Sequence, residues 1–322
     1  MMVVTNQITK DTLKFNTKMK KLLILSVICF FGFQSKAQQD EQMSLYMYNK
    51  LYINPAYAGS RDALSAIAIA RFQWVDFEGA PKTQWFSIHA PILQKAMGVG
   101  AHVVNDQIGN RSRTAVFGDL STSLALNKKT SRIAVGLSGG FDMIGYDFSN
   151  TKIVDQTDPY YGAQYNVTQP NVGAGIYYYS DKHYFGISSP RILEVDNKSL
   201  DSVVGKLNTR HFFVSGGYVF DLNSVLKLQP SAMIKYTPNA PITIDVNASL
   251  LMYDQMWLGL MYRYNESMGV NAVYTLKNAL SIGYVYDFPI NGLRTYQTGS
   301  HEIFLRYDFK PKKSVFTSPR YF

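Results

Sequence analysis

From about Asp62 to Phe309 the chain alternates apolar and polar residues with a period of two, in segments of about ten divided by clusters of Gly, Asn, Asp, Pro and Lys. That period belongs to strands, whose successive side chains point to opposite faces. In Pro241 to Tyr253, Ile242, Ile244, Val246, Ala248, Leu250 and Met252 share one face, and Thr243, Asp245, Asn247 and Ser249 the other. In Ser300 to Phe309 the apolar set is Ile303, Leu305, Tyr307 and Phe309, against Glu302, Phe304, Arg306 and Asp308. Trp257 to Tyr264 and Asn278 to Asp287 repeat the pattern. One face suits lipid and the other water.

Counting gives 14 segments, beginning near residues 62, 83, 96, 112, 131, 170, 182, 208, 224, 241, 256, 267, 278 and 300. An even number is what single-chain bacterial barrels have. If the first strand rises from the periplasm, the long connections Asp147 to Gln169, Pro190 to Leu207 and Asp287 to Gly299 all fall outside the cell. The short ones, Asn127 to Thr130, Ser180 to Asp181, Leu222 to Asn223 and Leu276 to Lys277, become periplasmic turns. Tyr236, Tyr253, Tyr264, Tyr274 and Tyr286 recur at segment ends, where an aromatic girdle meets the headgroups. The expected fold is all-β: a transmembrane antiparallel β-barrel of about 14 strands. A soluble β-sandwich also alternates, but this many strands would need two such domains, and no linker divides the chain.

Ahead of the strands, Lys18, Lys20 and Lys21 precede an apolar run from Leu22 to Phe33, and Ser35-Lys36-Ala37 supplies small residues for cleavage. The run is shorter than the roughly 20 residues of a spanning helix, so it reads as a signal peptide for Sec export, removed before Gln38. Met19 is the expected start, with 1–18 an upstream extension. The organisation expected is a leader at 1–37, a periplasmic or lumen segment at 38–61, the barrel at 62–309 and a periplasmic tail at 310–322.

Cys29, the single cysteine, lies in the leader, so the mature chain has no disulfide or thiolate metal site. Ser26, Val27 and Ile28 before it do not make a lipoprotein acylation site. Of the net charge of +9, the leader carries +5, and the remainder argues for no nucleic-acid partner. The segment Gly136 to Gly140 matches G-x-S-x-G, but it lies within an alternating strand, where small inward residues explain it better than a nucleophile elbow. His89, His102, His183, His211 and His301 fall on separate strands without metal-ligand spacing. Gly98 to Gly100 and Gly173 to Gly175 lack the strand-to-helix setting of a phosphate loop and relieve crowding instead. No cofactor, metal or catalytic residue is expected.

Several segments resemble one family. Asn54-Pro55-Ala56-Tyr57-Ala58-Gly59-Ser60, after the aromatic stretch Leu45 to Asn49, is similar to the N-terminal signature of PorP/SprF proteins. Arg71-Phe72-Gln73-Trp74, Gly79-Ala80-Pro81 and Asp106 to Gly109 resemble its R-x-Q-W, G-A-P and D-x-x-G elements. His301-Glu302-Ile303 and the terminal Ser318-Pro319-Arg320-Tyr321-Phe322 resemble its closing strand and tail. Parity puts Arg71 and Gln73 inward with Phe72 and Trp74 outward, while Gly79 to Pro81 makes the first extracellular turn.

The resemblance implies an outer-membrane barrel of the type IX secretion system of Bacteroidota. Such a barrel supports export and surface attachment of a cognate secreted protein, often a gliding adhesin, whose C-terminal domain it binds non-covalently. The translocon, a periplasmic ring lipoprotein and the bilayer are the other partners implied. The expected cargo contact is Asp147 to Gln169, where Tyr160, Tyr161 and Tyr165 supply aromatic anchors. A passive channel is the rival reading, and an envelope hydrolase built on Ser138 and a histidine the third.

Overall fold

A computed structural model of the chain describes residues 41–61, 63–126, 131–149, 164–194, 209–238, 240–276, 279–309 and 321. The leader and cleavage site expected from the sequence lie outside these residues. Fourteen strands follow a short N-terminal segment. They are β1 Leu64–Phe72, β2 Lys82–Ile92, β3 Met97–Ile108, β4 Arg111–Ala125, β5 Arg132–Asp147, β6 Gln164–Tyr179 and β7 His183–Ser189. Then come β8 Phe212–Tyr218, continued past Val219 as Phe220–Asp221, β9 Leu226–Tyr236, β10 Thr243–Met252, β11 Met256–Arg263, β12 Ser267–Leu276, β13 Leu280–Pro289 and β14 Ser300–Phe309.

Each strand pairs antiparallel with its sequence neighbours, and β1 pairs with β14 from Leu64↔Phe309 to Phe72↔His301, so the sheet closes without an edge. Closure is what a membrane demands, because an open edge would leave backbone groups unbonded in hydrocarbon. No described helix is long and apolar enough to span a bilayer, so the strands are the crossing elements.

The faces follow the sequence. On β5, Leu137 is 62% exposed while Ser138 beside it is 7% exposed. Ile303, Leu305, Tyr307 and Phe309 of β14 face out, and Glu302, Phe304, Arg306 and Asp308 are buried. The connections divide as expected. One end carries 73–81, 148–163, 190–211 and 290–299, and the other carries short turns such as 180–182 and 253–255. Long extracellular loops and short periplasmic turns are the rule for outer-membrane barrels, which sets the long-loop end outside the cell.

Two expectations change. The sixth strand starts at Gln164, not near 170, so the connection expected from Asp147 to Gln169 shrinks to 148–163 and Tyr165 stands in β6. Above the hydrocarbon the outer face is wet, so the polarity inverts: Asn166 and Thr168 point out while Val167 and Gln169 point in. A search for apolar outward residues passes over such a stretch. The inner face is also less wet than expected. Ile67, Ile69, Trp85, Val104 and Phe304 point inward and are buried, because the lumen holds a segment of the chain itself.

Candidate functional site

Residues 43–59 are buried without a break. No strand of the wall has that profile, since each alternates buried residues with residues exposed on the outer face. Leu45, Tyr46, Met47, Tyr48, Tyr52 and Ile53 join one apolar cluster with Ile69, Trp85, Val104, Phe117, Phe213, Met233, Leu251, Trp257, Val273, Val285 and Phe304. Leu51, Ala56, Tyr57 and Ala58 join a second with Ala134, Tyr177 and Tyr184. Between them the clusters take a buried side chain from every strand. The N-terminal segment is thus the core of the barrel. Each large apolar side chain buried this way stabilises the packed state by roughly 1.5–3 kcal/mol before the cost of ordering it.

Polar clamps hold the segment at its upper end. The Glu302 carboxylate accepts from the N–H groups of Ser44 and Leu45, both at 2.9 Å. Arg71, directly across from Glu302 in the β1–β14 register, reaches Glu302 at 3.0 Å, Asp287 at 2.8 Å and Ser44 Oγ at 2.7 Å. Arg113 is bonded to both Asp142 and Glu41, while Tyr52 donates to Glu41 and Arg191 lies 3.7 Å from it. Arg263 pairs with Asp245 at 2.7 Å and donates to Gln42 at 3.2 Å. Paired and multiply hydrogen-bonded charges are the form in which ions tolerate burial.

The stretch Asn54 to Gly59 lies as a belt along the wall near the short-turn end. One row of the wall reads Pro91, Gly98, Ser121, Gly136, Gly175 and Ser188 in direct register from β2 to β7, small residues that leave a trough. The belt fills it. Asn54 donates to Ile176 O at 3.0 Å and caps the Pro55–Tyr57 turn by accepting from Ala56 N. Ser188 donates to Ile53 O and Ser121 to Ala58 O, at 2.6 and 2.7 Å. Gly59 donates to His89 Nδ1 at 3.1 Å, and Tyr57 packs edge-on against His89 and Tyr177. Arg61 closes the belt on Asp308 at 2.8 Å. A Cβ at Gly98 would stand 2.5 Å from the Ala58 carbonyl carbon, and one at Gly175 would stand 2.9 Å from Asn54 Cγ.

The remaining residues singled out in the sequence stand at the rims. Gln73 N donates to Pro81 O and Gly109 N to Gly79 O, which joins the first two long-loop-side connections. Gly79 and Gly109 both adopt positive φ, which favours glycine. Ala80 N donates to Phe77 O within the first turn, and Asp106 accepts from Thr83 at 2.6 Å. Trp74 lies beyond the end of β1, in the connection, with its ring edge-on to Phe77. At the opposite rim Tyr321 packs on the main cluster with Lys227 Nζ 5.3 Å from its ring centre. Close by, the hydrogen-bonded Asp221 carboxylate raises the pKa of Lys182 above the ordinary lysine value. Pro319, Arg320 and Phe322 lie outside the described residues, as do Tyr160 and Tyr161. Tyr165 faces inward with Ile144, Tyr146, Phe148 and Val167.

Ser138 stands opposite Asp119 and Gly173 in the register, not opposite a histidine. His102 Nδ1 lies 2.9 Å from Asp119, with its ring stacked on Phe117 and edge-on to Tyr52, inside the packed lumen. Among the described residues no three His, Cys, Asp or Glu side chains gather as a metal site.

A family profile described as "Type IX secretion system membrane protein PorP/SprF" matches residues 35–307. The chain belongs to the PorP/SprF family. Among curated proteins none matches it. Among solved structures it is similar to the outer membrane protein Omp33 of Acinetobacter baumannii, at 8% identity and a TM-score of 0.45 over 78% of this chain and 100% of that one. It is also similar to KdgM porin, at 9% and 0.38 over 77% and 100%, and to a Pseudomonas aeruginosa FadL homologue, at 13% and 0.40 over 80% and 93%. This PorP/SprF chain is an outer-membrane barrel. Of the residues whose resemblance to the family was noted in the sequence, Arg71, Glu302 and Asn54 to Gly59 meet on or within the internal segment, while Trp74, Gly79, Ala80, Asp106 and Gly109 stand at the rim.

Proposed function

We propose that this PorP/SprF barrel is an anchor: it supports export of a cognate secreted protein or gliding adhesin and holds it at the cell surface by non-covalent contact with its C-terminal domain. The observation that carries the reading is the packed lumen, in which all strands share clusters with residues 43–59. A barrel filled with its own chain has its rims, not its bore, as working surface. The passive-channel reading has no comparable observation behind it. The translocon, the periplasmic ring lipoprotein and the bilayer are the remaining partners that family membership supports.

Cargo contact belongs on the long-loop face, where 148–163, with Tyr160 and Tyr161, is flanked by the longest strands, β5 and β6. Tyr165 acts from below it, as part of the inward aromatic group that supports the rim. The test is deletion of the gene followed by a census of surface proteins, with a second strain in which 151–162 is replaced by a short Gly-Ser turn. Loss of one surface protein in both strains is the expected result. An unchanged surface in the deletion strain would refute the anchor role, and loss in the deletion strain alone would move the contact to another part of the rim.

A further inference from the structure

The direction in which the internal segment runs has a consequence for the end of the chain. Glu41 meets Arg113, near the start of β4, and Arg191, just past the end of β7. Gln42 meets Arg263, the last residue of β11, and Glu266 in the next connection. All four partners stand at the long-loop end. Twenty residues later Arg61 is bound to Asp308, one residue from the end of β14, and Gly59 lies against His89 and Pro91 near the end of β2. These stand at the short-turn end. The segment therefore descends the lumen from the loop mouth to the turn mouth before β1 climbs back up the wall. Ser44 at the upper clamp, Tyr46 beside Ser231 at mid-height and Ala58 beside Ser121 below mark the same descent.

We propose that the internal segment exits the lumen at its Glu41 end through the long-loop mouth, so that this end is displayed beside the loops on the face that meets the secreted partner. A return to the periplasm would need a second passage through a lumen already packed against every strand. Glu41, gripped by Arg113, Arg191 and Tyr52, holds the described segment at that mouth. Display toward the outside, as distinct from exit beside the loops, rests on the orientation used for the proposed function.

The experiment places a short epitope between Gln39 and Asp40, with the same epitope in the 73–81 connection and in the 253–255 turn as controls for the two faces. Antibody access is compared on intact and permeabilised cells, and heat-modifiable migration confirms that each barrel is folded. The N-terminal epitope is expected to match the 73–81 control and be reached on intact cells. Access only after permeabilisation, together with the 253–255 control, would overturn the proposal. If instead the 73–81 control is hidden and the 253–255 control exposed, the orientation fails and surface display fails with it. Should the insertion block folding, Asp40→Cys labelled with a membrane-impermeant maleimide gives the same comparison, because the only native cysteine, Cys29, lies in the leader.

Discussion

Gly136 of β5 lies flat against Ala56 of the internal belt: a Cβ on that glycine would overlap the Ala56 backbone and stand 2.5 Å from the Pro55 carbonyl carbon. Neither partner can yield easily, since one belongs to a closed wall and the other to a chain held on both sides. Gly136→Val is expected to cost about 1–3 kcal/mol by overpacking, read as a lower urea midpoint of the folded barrel in detergent. Gly139→Ala, where an added Cβ meets nothing within 4 Å, is the control and should leave the midpoint unchanged. Equal effects of the two would show that the belt does not lie in the trough.

The upper clamp makes a second prediction. Arg71→Met leaves Asp287 and Glu302 facing each other in a dry site without their shared cation. Breaking a buried pair in this way costs roughly 3–5 kcal/mol, again read from the unfolding midpoint. A change of under about 1 kcal/mol, the range of an exposed pair, would mean that water reaches the clamp and the lumen is open there.

The lipid face makes a third. Leu137→Arg puts a charge on the outer band of β5, one residue from Gly136 but on the other side of the wall. A cost of roughly 2–4 kcal/mol is expected for such a change near the bilayer midplane, seen as impaired folding into vesicles. Unimpaired folding would place Leu137 outside the hydrocarbon.

At the periplasmic rim, Tyr321→Ala removes the ring beside Lys227. The loss to the barrel is expected to be about 0.5–1 kcal/mol, so the variant should fold and insert. If the tail serves the secretion machinery, its effect will be read in cargo export while the unfolding midpoint stays nearly fixed. Failure to insert would instead make Tyr321 part of the folding signal.

The outer half of this architecture was legible in the sequence because lipid imposes one requirement on every strand, and an apolar residue at every second position can be counted. Residues such as Ile303, Leu305 and Tyr307 needed no knowledge of their neighbours. The inner half was not legible, because it depends on which strands meet. Arg71 and Glu302 are 231 residues apart in sequence and face each other only when β1 and β14 close the barrel. Gly98, Gly136 and Gly175 form a trough only through the register of β3 to β6. Residues 43–59 show no strand period, so their burial had no signal except the family resemblance, which marked Asn54 to Gly59 without saying what the motif packs against. The upper part of β6 was missed for a local reason: above the bilayer, solvent reverses the polarity of the two faces.

Conductance of the purified, folded protein in planar bilayers reads whether the chain's own N-terminal segment closes the lumen. No steady open state is expected for the intact barrel. A large, stable conductance from the wild-type protein would contradict that closure.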